Sequence, residues 1–257
     1  MSHDNNDLND PKLAKTFPRL IRSAAVAYGD NTAIVHKTDH AEHALSFAEL
    51  DRQSAELARG LIARGVNKGT RVGFIFGNGP SFALMFAAIA RAGGVAIPVS
   101  TLIKHNELVR VLRQADLAGL IVQRELLGKD YVDRVIEALP ELAESDSPEL
   151  RLNQTPYLRW IASSGDNLPN SIRPMSWLYE GAESVGDDLL EQVEAEIHPS
   201  DQMLEIYTSG SMALPKGVKH NHGPIMFRAH WLRSMTPSSM LGREIIVPMP
   251  MPTSAAP

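Results

Sequence analysis

Short apolar runs alternate with amphipathic helical segments along residues 46–139, and this alternation is the tightest constraint on the fold. S-F-A-E (46–49) forms a capping box, and Phe47, Leu50, Leu57, Ala58, Leu61 and Ile62 then share one helical face until Gly65 stops it. R-V-G-F-I-F (71–76) reads as a strand that ends in G-N-G-P. A helix from Ser81 follows, with Phe82, Met85, Phe86 and Ile89 inward, and V-A-I-P-V (95–99) is a second buried strand. Strand, helix, strand is the unit of a parallel sheet, because parallel neighbours need a crossover long enough to hold a helix. The pattern repeats with a helix carrying Leu108, Val111, Leu112 and Ala115, the strand G-L-I-V (119–122), and a helix carrying Val132, Val135, Ile136 and Leu139. The expected fold is α/β, an open, doubly wound, mostly parallel sheet with flanking helices.

The 257 residues suffice for one large domain or two small ones with a sizeable core. Residues 141–174 are rich in Pro, Ser and Asn around one expected strand at 157–162, so long connections are expected there. With no cysteine, disulfides, thiolate metal sites and thiol nucleophiles are excluded together. The longest uninterrupted apolar run, 82–90, is nine residues, too short to cross a bilayer, so no integral membrane segment is expected. Residues 1–16 begin polar and acidic and read as a flexible tail of a cytoplasmic protein. A formal charge of -5 gives no general pull toward nucleic acid or anionic lipid, so function must come from a local site. The acidic residues concentrate at 180–201, which holds eight of them and no Lys or Arg and reads as a solvated face. The stretch 202–257 instead carries Lys216, Lys219, Arg228, Arg233 and Arg243 against Glu205 and Glu244.

In that basic stretch, a strand at 204–207 runs directly into T-S-G-S-M-A-L-P-K-G-V (208–218). Gly210 lets the backbone approach a ligand closely, successive N–H groups of such a loop point inward, and Thr208, Ser209 and Ser211 add hydroxyl donors. Lys216, between Pro215 and Gly217, brings the positive charge, and Val218 would begin a returning strand. Five residues separate Gly210 from Lys216 and no Ser or Thr follows the lysine, so the Walker spacing is not met and a hairpin is expected instead. Ser, Gly and Pro also mark ordinary solvated turns, and T-S-G-S alone would be read that way. Tyr207 before it and P-K-G-V at this spacing favour a phosphate-binding loop.

At these residues the sequence resembles the AMP-forming adenylating superfamily, whose phosphate loop reads Y-T-S-G-[ST]-T-G-x-P-K-G-V; ten of the twelve positions agree, counting the free one. The resemblance extends to S-F-A-E-L-D-R-Q-S-A-E-L-A-R-G-L (46–61), K-G-T-R-V-G-F-I-F-G-N-G-P-S-F (68–82) and A-G-G-V-A-I-P-V (92–99), and His222 matches the family's histidine shortly after the loop. The acyl-CoA synthetase branch is the most similar overall. The resemblance implies a two-step ligase that joins a carboxylic acid to coenzyme A through an acyl adenylate, with ATP, Mg²⁺ and coenzyme A as cosubstrates. It implies that residues 17–257 are the N-terminal part of the adenylate-forming domain. It assigns nucleotide binding to Thr208, Ser209, Gly210, Ser211, Met212, Ala213, Lys216, Gly217 and His222, with Lys216 also the catalytic residue, and assigns no metal ligand. Oligomeric state is left open.

Two positions depart from the family loop. Met212 replaces the usual Thr, which removes one hydroxyl donor, and Ala213 replaces the usual Gly. A larger departure is length, since the family's adenine-binding aromatic motif, acidic magnesium ligand, ribose-binding Asp and mobile C-terminal domain lie beyond the loop. A truncated or frame-shifted ligase, inactive alone, is therefore the expectation. An inactive remnant or nucleotide-binding module of the same fold is the rival, and an adenylation domain serving a carrier protein is a third reading. G-N-G-P-S-F (77–82) lacks the third glycine of a dinucleotide loop and reads as a connecting turn. His36, His40, His43 and His220 read as solvated, and Trp160, Trp177 and Trp231 as packing residues.

Overall fold

The computed structural model describes residue 10 and residues 14–37, 42–126, 128–208 and 216–235. Helix α1 (Phe17–Tyr28) leads into an antiparallel ribbon of β1 (Thr32–Lys37) and β2 (Glu42–Ser46), in which His36 pairs with His43. Packing begins before α1: Ala14 and Thr16 are buried and His230 donates from Nε2 to the Ala14 carbonyl at 2.8 Å, so the last residues assigned to the tail belong to the packed body. Ser46 then caps α2 (Phe47–Ala63), its Oγ accepting the Glu49 N–H at 3.1 Å. The reciprocal half of the expected capping box is exchanged for helix-surface bonds, with the Glu49 carboxylate accepting from Gln53 at 2.6 Å and Arg52 at 3.0 Å.

The parallel unit follows as β3 (Arg71–Ile75), α3 (Pro80–Arg91) and β4 (Val95–Pro98), and α4 (His105–Gln114) then crosses to β5 (Gly119–Val122). A short ribbon, β6 (Glu125–Leu126) and β7 (Lys129–Asp130), precedes α5 (Tyr131–Ala138) and α6 (Glu141–Glu144). The rest of the described chain is β8 (Trp160–Ser163), β9 (Arg173–Pro174), α7 (Ser176–Ala182), α8 (Asp187–Ala195), β10 (Gln202–Thr208), β11 (Lys216–Asn221) and α9 (His222–Met235).

Seven strands form one sheet in the order β11-β10-β4-β3-β5-β8-β9, and every neighbouring pair is parallel except β10 with β11. Alternation along the central strands divides the core in two. Val95, Ile97, Leu120 and Val122 point to a layer with Leu108, Leu112, Val132 and Val135 of α4 and α5. Val72, Phe74, Ala96 and Ile121 point to the opposite layer with Leu57, Leu61, Met85 and Ile89 of α2 and α3. Helices on both faces make the sheet doubly wound, as its continuous apolar strands require.

Two expectations are corrected. The strand expected at 157–162 begins at Trp160, because the Leu158 N–H closes a turn onto the Thr155 carbonyl at 3.0 Å and leaves Tyr157 exposed. The acidic stretch 180–201 is not simply a solvated face. Arg91 is only 1% exposed, and a buried guanidinium needs counter-charge. Glu194 of α8 supplies it at 2.5 Å, while Asp51 and Ser54 of α2 accept from the same group at 2.8 Å each. Arg22 of α1 also donates to Glu194, so one carboxylate joins three helices.

Candidate functional site

The two strands that flank the hydroxyl-rich loop form an antiparallel hairpin, with Glu205 opposite Lys219, Ile206 opposite Val218, Tyr207 opposite Gly217 and Thr208 opposite Lys216. The return begins at Lys216, two residues before the expected Val218. Because β10 is parallel to β4, β10 ends with Thr208 at the carboxyl edge of the sheet, the edge where open α/β sheets hold ligands. Ser209, Gly210, Ser211, Met212 and Ala213 lie outside the described residues. Thr208 ends β10 and exposed Lys216 starts β11, so the register places these two backbone positions side by side at the mouth of the loop.

Beneath that mouth the hairpin is locked by a buried carboxylate. Glu205, 4% exposed, accepts from the Tyr207 hydroxyl at 2.9 Å and from Gln202 Nε2 at 2.9 Å, and Arg71 Nε lies 3.9 Å away. Residues i and i+2 of a strand share a face, which is why Glu205 and Tyr207 meet. Burial, and then the Glu205 carboxylate that accepts its proton, push the Tyr207 phenol well above the ordinary tyrosine range, so it remains a donor at neutral pH. Gly217 completes the lock by having no side chain. A Cβ there would sit 2.2 Å from Glu205 Oε1 and 3.0 Å from the Tyr207 ring carbon Cζ.

His222 lies apart from Lys216 and the mouth of the hairpin. It opens α9 at the opposite end of β11, about 20 Å of strand from Lys216 at roughly 3.3 Å per residue. It is 1% exposed, its Nδ1 accepts the Phe17 N–H at 3.1 Å, and its own N–H donates to the Asp201 carbonyl at 3.0 Å. Burial lowers its pKa from 6.5 to about 4, against a smaller opposing pull from Asp201. The imidazole is therefore neutral at pH 7, with its proton on Nε2.

Glu205 escaped the sequence reading, which counted it only as a charge against the basic stretch. The E-x-Y spacing before the loop, with a glycine in register on the return strand, was the available signal. Among the described residues no three His, Asp or Glu side chains converge on a metal position. No helix among them is long and apolar enough to cross a membrane.

The fold defines the chain as a doubly wound α/β protein with an antiparallel hairpin strand pair, β10 and β11, at one edge of its parallel sheet. Residues 21–254 match the AMP-binding enzyme family, and the chain belongs to it. It is 28% identical over 210 residues to the YngI protein of Bacillus subtilis, covering 82% of this chain and 38% of that protein. To the mitochondrial medium-chain acyl-CoA ligase ACSF2 of Bos taurus it is 24% identical over 243 residues, covering 92% and 39%. The chain thus spans about two fifths of the length of the curated relatives it matches.

Among solved structures, the long-chain-fatty-acid-CoA ligase FadD1 of Archaeoglobus fulgidus superposes with a TM-score of 0.62 at 22% identity, over 84% of this chain and 38% of that one. The anthranilate CoA ligase AuaEII, solved with anthranoyl-AMP, gives a TM-score of 0.62 at 20% identity over 81% and 35%. At these identities the superpositions show the fold.

Proposed function

We propose that the chain is the N-terminal portion of an ATP-dependent carboxylate–CoA ligase, with residues 17–257 contributing the nucleotide-phosphate loop of its adenylate-forming domain. In the complete enzyme a substrate carboxylate attacks the α-phosphorus of ATP, giving an acyl adenylate and releasing pyrophosphate. The thiol of coenzyme A then attacks the acyl carbon and AMP leaves. The observation that carries this reading is the hairpin itself: Y-T-S-G-S-M-A-L-P-K-G-V set on two paired strands at the carboxyl edge of a parallel sheet, in a chain of the AMP-binding enzyme family.

The work of the chain in this reaction is electrostatic. Charge builds on the leaving pyrophosphate, and preorganised N–H and hydroxyl donors with one ammonium stabilise it. Thr208, Ser209, Gly210, Ser211, Met212 and Ala213 form the cradle, Lys216 supplies the cation, and Gly217 lets the return strand close over Glu205. His222 acts at a distance, as a neutral acceptor that fixes α1 against the far end of the hairpin. Magnesium would reach the site on the nucleotide, where it neutralises phosphate charge. The described residues offer it no ligand set, and no step above depends on it. A cysteine-free chain suits a reducing compartment, in keeping with a cytoplasmic enzyme.

A second reading, a nucleotide-binding module without turnover, is favoured by one observation: Met212 and Ala213 stand where the family's loop carries a hydroxyl and a glycine. Two measurements separate the cases. ATP titrated into the 257-residue chain should bind, and Lys216→Ala should weaken binding by about tenfold, the cost of one charge-assisted contact. Equal affinity for the Lys216→Ala chain would refute the loop assignment. Pyrophosphate release by the full-length protein that depends on an added carboxylic acid marks the ligase, and its absence there beside intact ATP binding marks the module.

A further inference from the structure

We infer a second anion site, at the opposite edge of the sheet from the hairpin, that takes a small molecule bearing two or more phosphates. Residues 148–153, Pro156, Arg159 and Trp160, with Arg173, Trp177 and Arg64 from the end of α2, line an open cavity of about 680 Å³, within the usual size of a small-molecule site. Four arginines line it, Arg64, Arg151, Arg159 and Arg173, against a single carboxylate, Glu149. In a chain whose formal charge is -5 this is a concentrated positive field. Among the described residues none of the four arginines is in an ion pair. Arg173 Nε is buried without a hydrogen-bond partner. A desolvated donor of this kind costs free energy until an acceptor reaches it.

The wall is prearranged. Leu150, Leu152 and Leu158 are buried at 2%, 5% and 0%, while Arg151 and Arg159 alternate with them and stay exposed, so the leucines anchor the loop, and Arg159 is held by donating from Nη1 to the Pro156 carbonyl at 2.6 Å. Arg64 donates from Nε and Nη2 to the Trp177 carbonyl at 3.2 and 2.6 Å, with its Cζ 4.3 Å from the Trp177 ring centre. Arg173 lies 5.2 Å from the same ring, and Trp160 meets it edge-on at 5.7 Å. Because two guanidinium groups already occupy the Trp177 ring, the site recognises its ligand by charge and not by stacking a base. The N–H groups these guanidinium groups keep free, together with their four charges, suit the several oxygens of a polyphosphate or phosphate ester, which makes that the fitting class. Arg159 stands immediately before β8 and Arg64 after α2, at the amino edge of the parallel strands, whereas β10 ends with Thr208 at the carboxyl edge. The site is therefore independent of the nucleotide reading.

Calorimetric titration of inorganic tripolyphosphate into the chain carrying Lys216→Ala tests this, with citrate as the carboxylate comparison. Saturable tripolyphosphate binding, tighter than citrate, is expected to persist in that background and to shift the side-chain Nε–H resonance of Arg173. Adding R151Q and R159Q, both at exposed positions and checked for an unchanged circular dichroism spectrum, should weaken it at least about tenfold. The inference is overturned by no saturable binding at millimolar ligand, by citrate binding as tightly, or by unchanged affinity in the R151Q/R159Q chain.

Discussion

Two residues carry the sharpest consequences at their own scale. In the proposed phosphate loop Met212 takes the place of a hydroxyl donor, and a hydrogen bond to a charged group contributes about 1.5 to 3 kcal/mol. Met212→Thr should therefore tighten ATP binding by about tenfold or more, read by titration of both chains. Equal or weaker affinity for the Thr form would remove Met212 from the cradle. His222 makes a pH prediction. Its folded pKa, about 4, lies below the ordinary 6.5, so between these values the unfolded chain binds a proton that the folded chain refuses. Its contribution is fully present above pH 6.5 and is lost as pH falls toward 4, to a total of about 3 kcal/mol. His222→Asn keeps an acceptor near the Phe17 N–H and removes the titration. Urea unfolding at pH 7 and pH 5 should show a smaller loss of stability in the variant than in the wild type, and parallel losses would show that His222 does not titrate in this way.

Between elements, the strongest single dependence is that of α8 on Arg91. Removing one partner of a buried pair costs about 3 to 5 kcal/mol when the other charge is left alone; here Arg22 stays on Glu194, which lowers the cost to about 2 to 3 kcal/mol. Arg91→Met should destabilise the fold by that amount in urea. In the Glu194→Gln background the same substitution should cost much less, since the Arg91–Glu194 pair is already broken there; full additivity would show that the two side chains do not act as one unit. This network also marks where the sequence stopped being legible. The strand Gly119–Val122 was readable to the residue because it is a continuous apolar run between turn signals. Strand β8 was read three residues early because Tyr157 and Leu158 look like strand residues while the Thr155 turn holds them out of the ladder. Arg91 and Glu194 are 103 positions apart, and no local periodicity links them, so the acidic stretch looked solvated. The hairpin under the loop was anticipated from strand, hydroxyls, glycine and P-K-G-V in series. Its lock of Glu205, Tyr207 and Gly217 was not, because it depends on cross-strand register. Gly217→Ala tests that lock directly: displacing a buried, doubly bonded carboxylate should cost about 1 to 3 kcal/mol in thermal unfolding, and a neutral result would show the pair to be slack.

Across the whole molecule the two ends of the sheet differ in what they leave open. The edge strand β11 carries Lys216 and Lys219, charges that discourage strand-to-strand pairing with another chain. The neighbouring helix has no such guard. Phe227, Trp231 and Met235 of α9 fall at i, i+4 and i+8, one stripe, and are 73%, 51% and 63% exposed. Large apolar groups aligned on one helix face and left to water favour association, while isolated ones do not. The 257-residue chain is therefore expected to self-associate with rising concentration through α9 and not through β11. Light scattering coupled to size exclusion should show a mass above 28.1 kDa that climbs with loading, and Phe227→Ser with Trp231→Ser should return it to the monomer value. Both positions are exposed, so the double variant should melt close to the wild type, within about 0.5 kcal/mol per site in stability. A wild-type chain that stays at monomer mass would rule this face out. Association that survives the double serine variant would shift the contact to the β11 edge, where Lys219→Glu could then be compared.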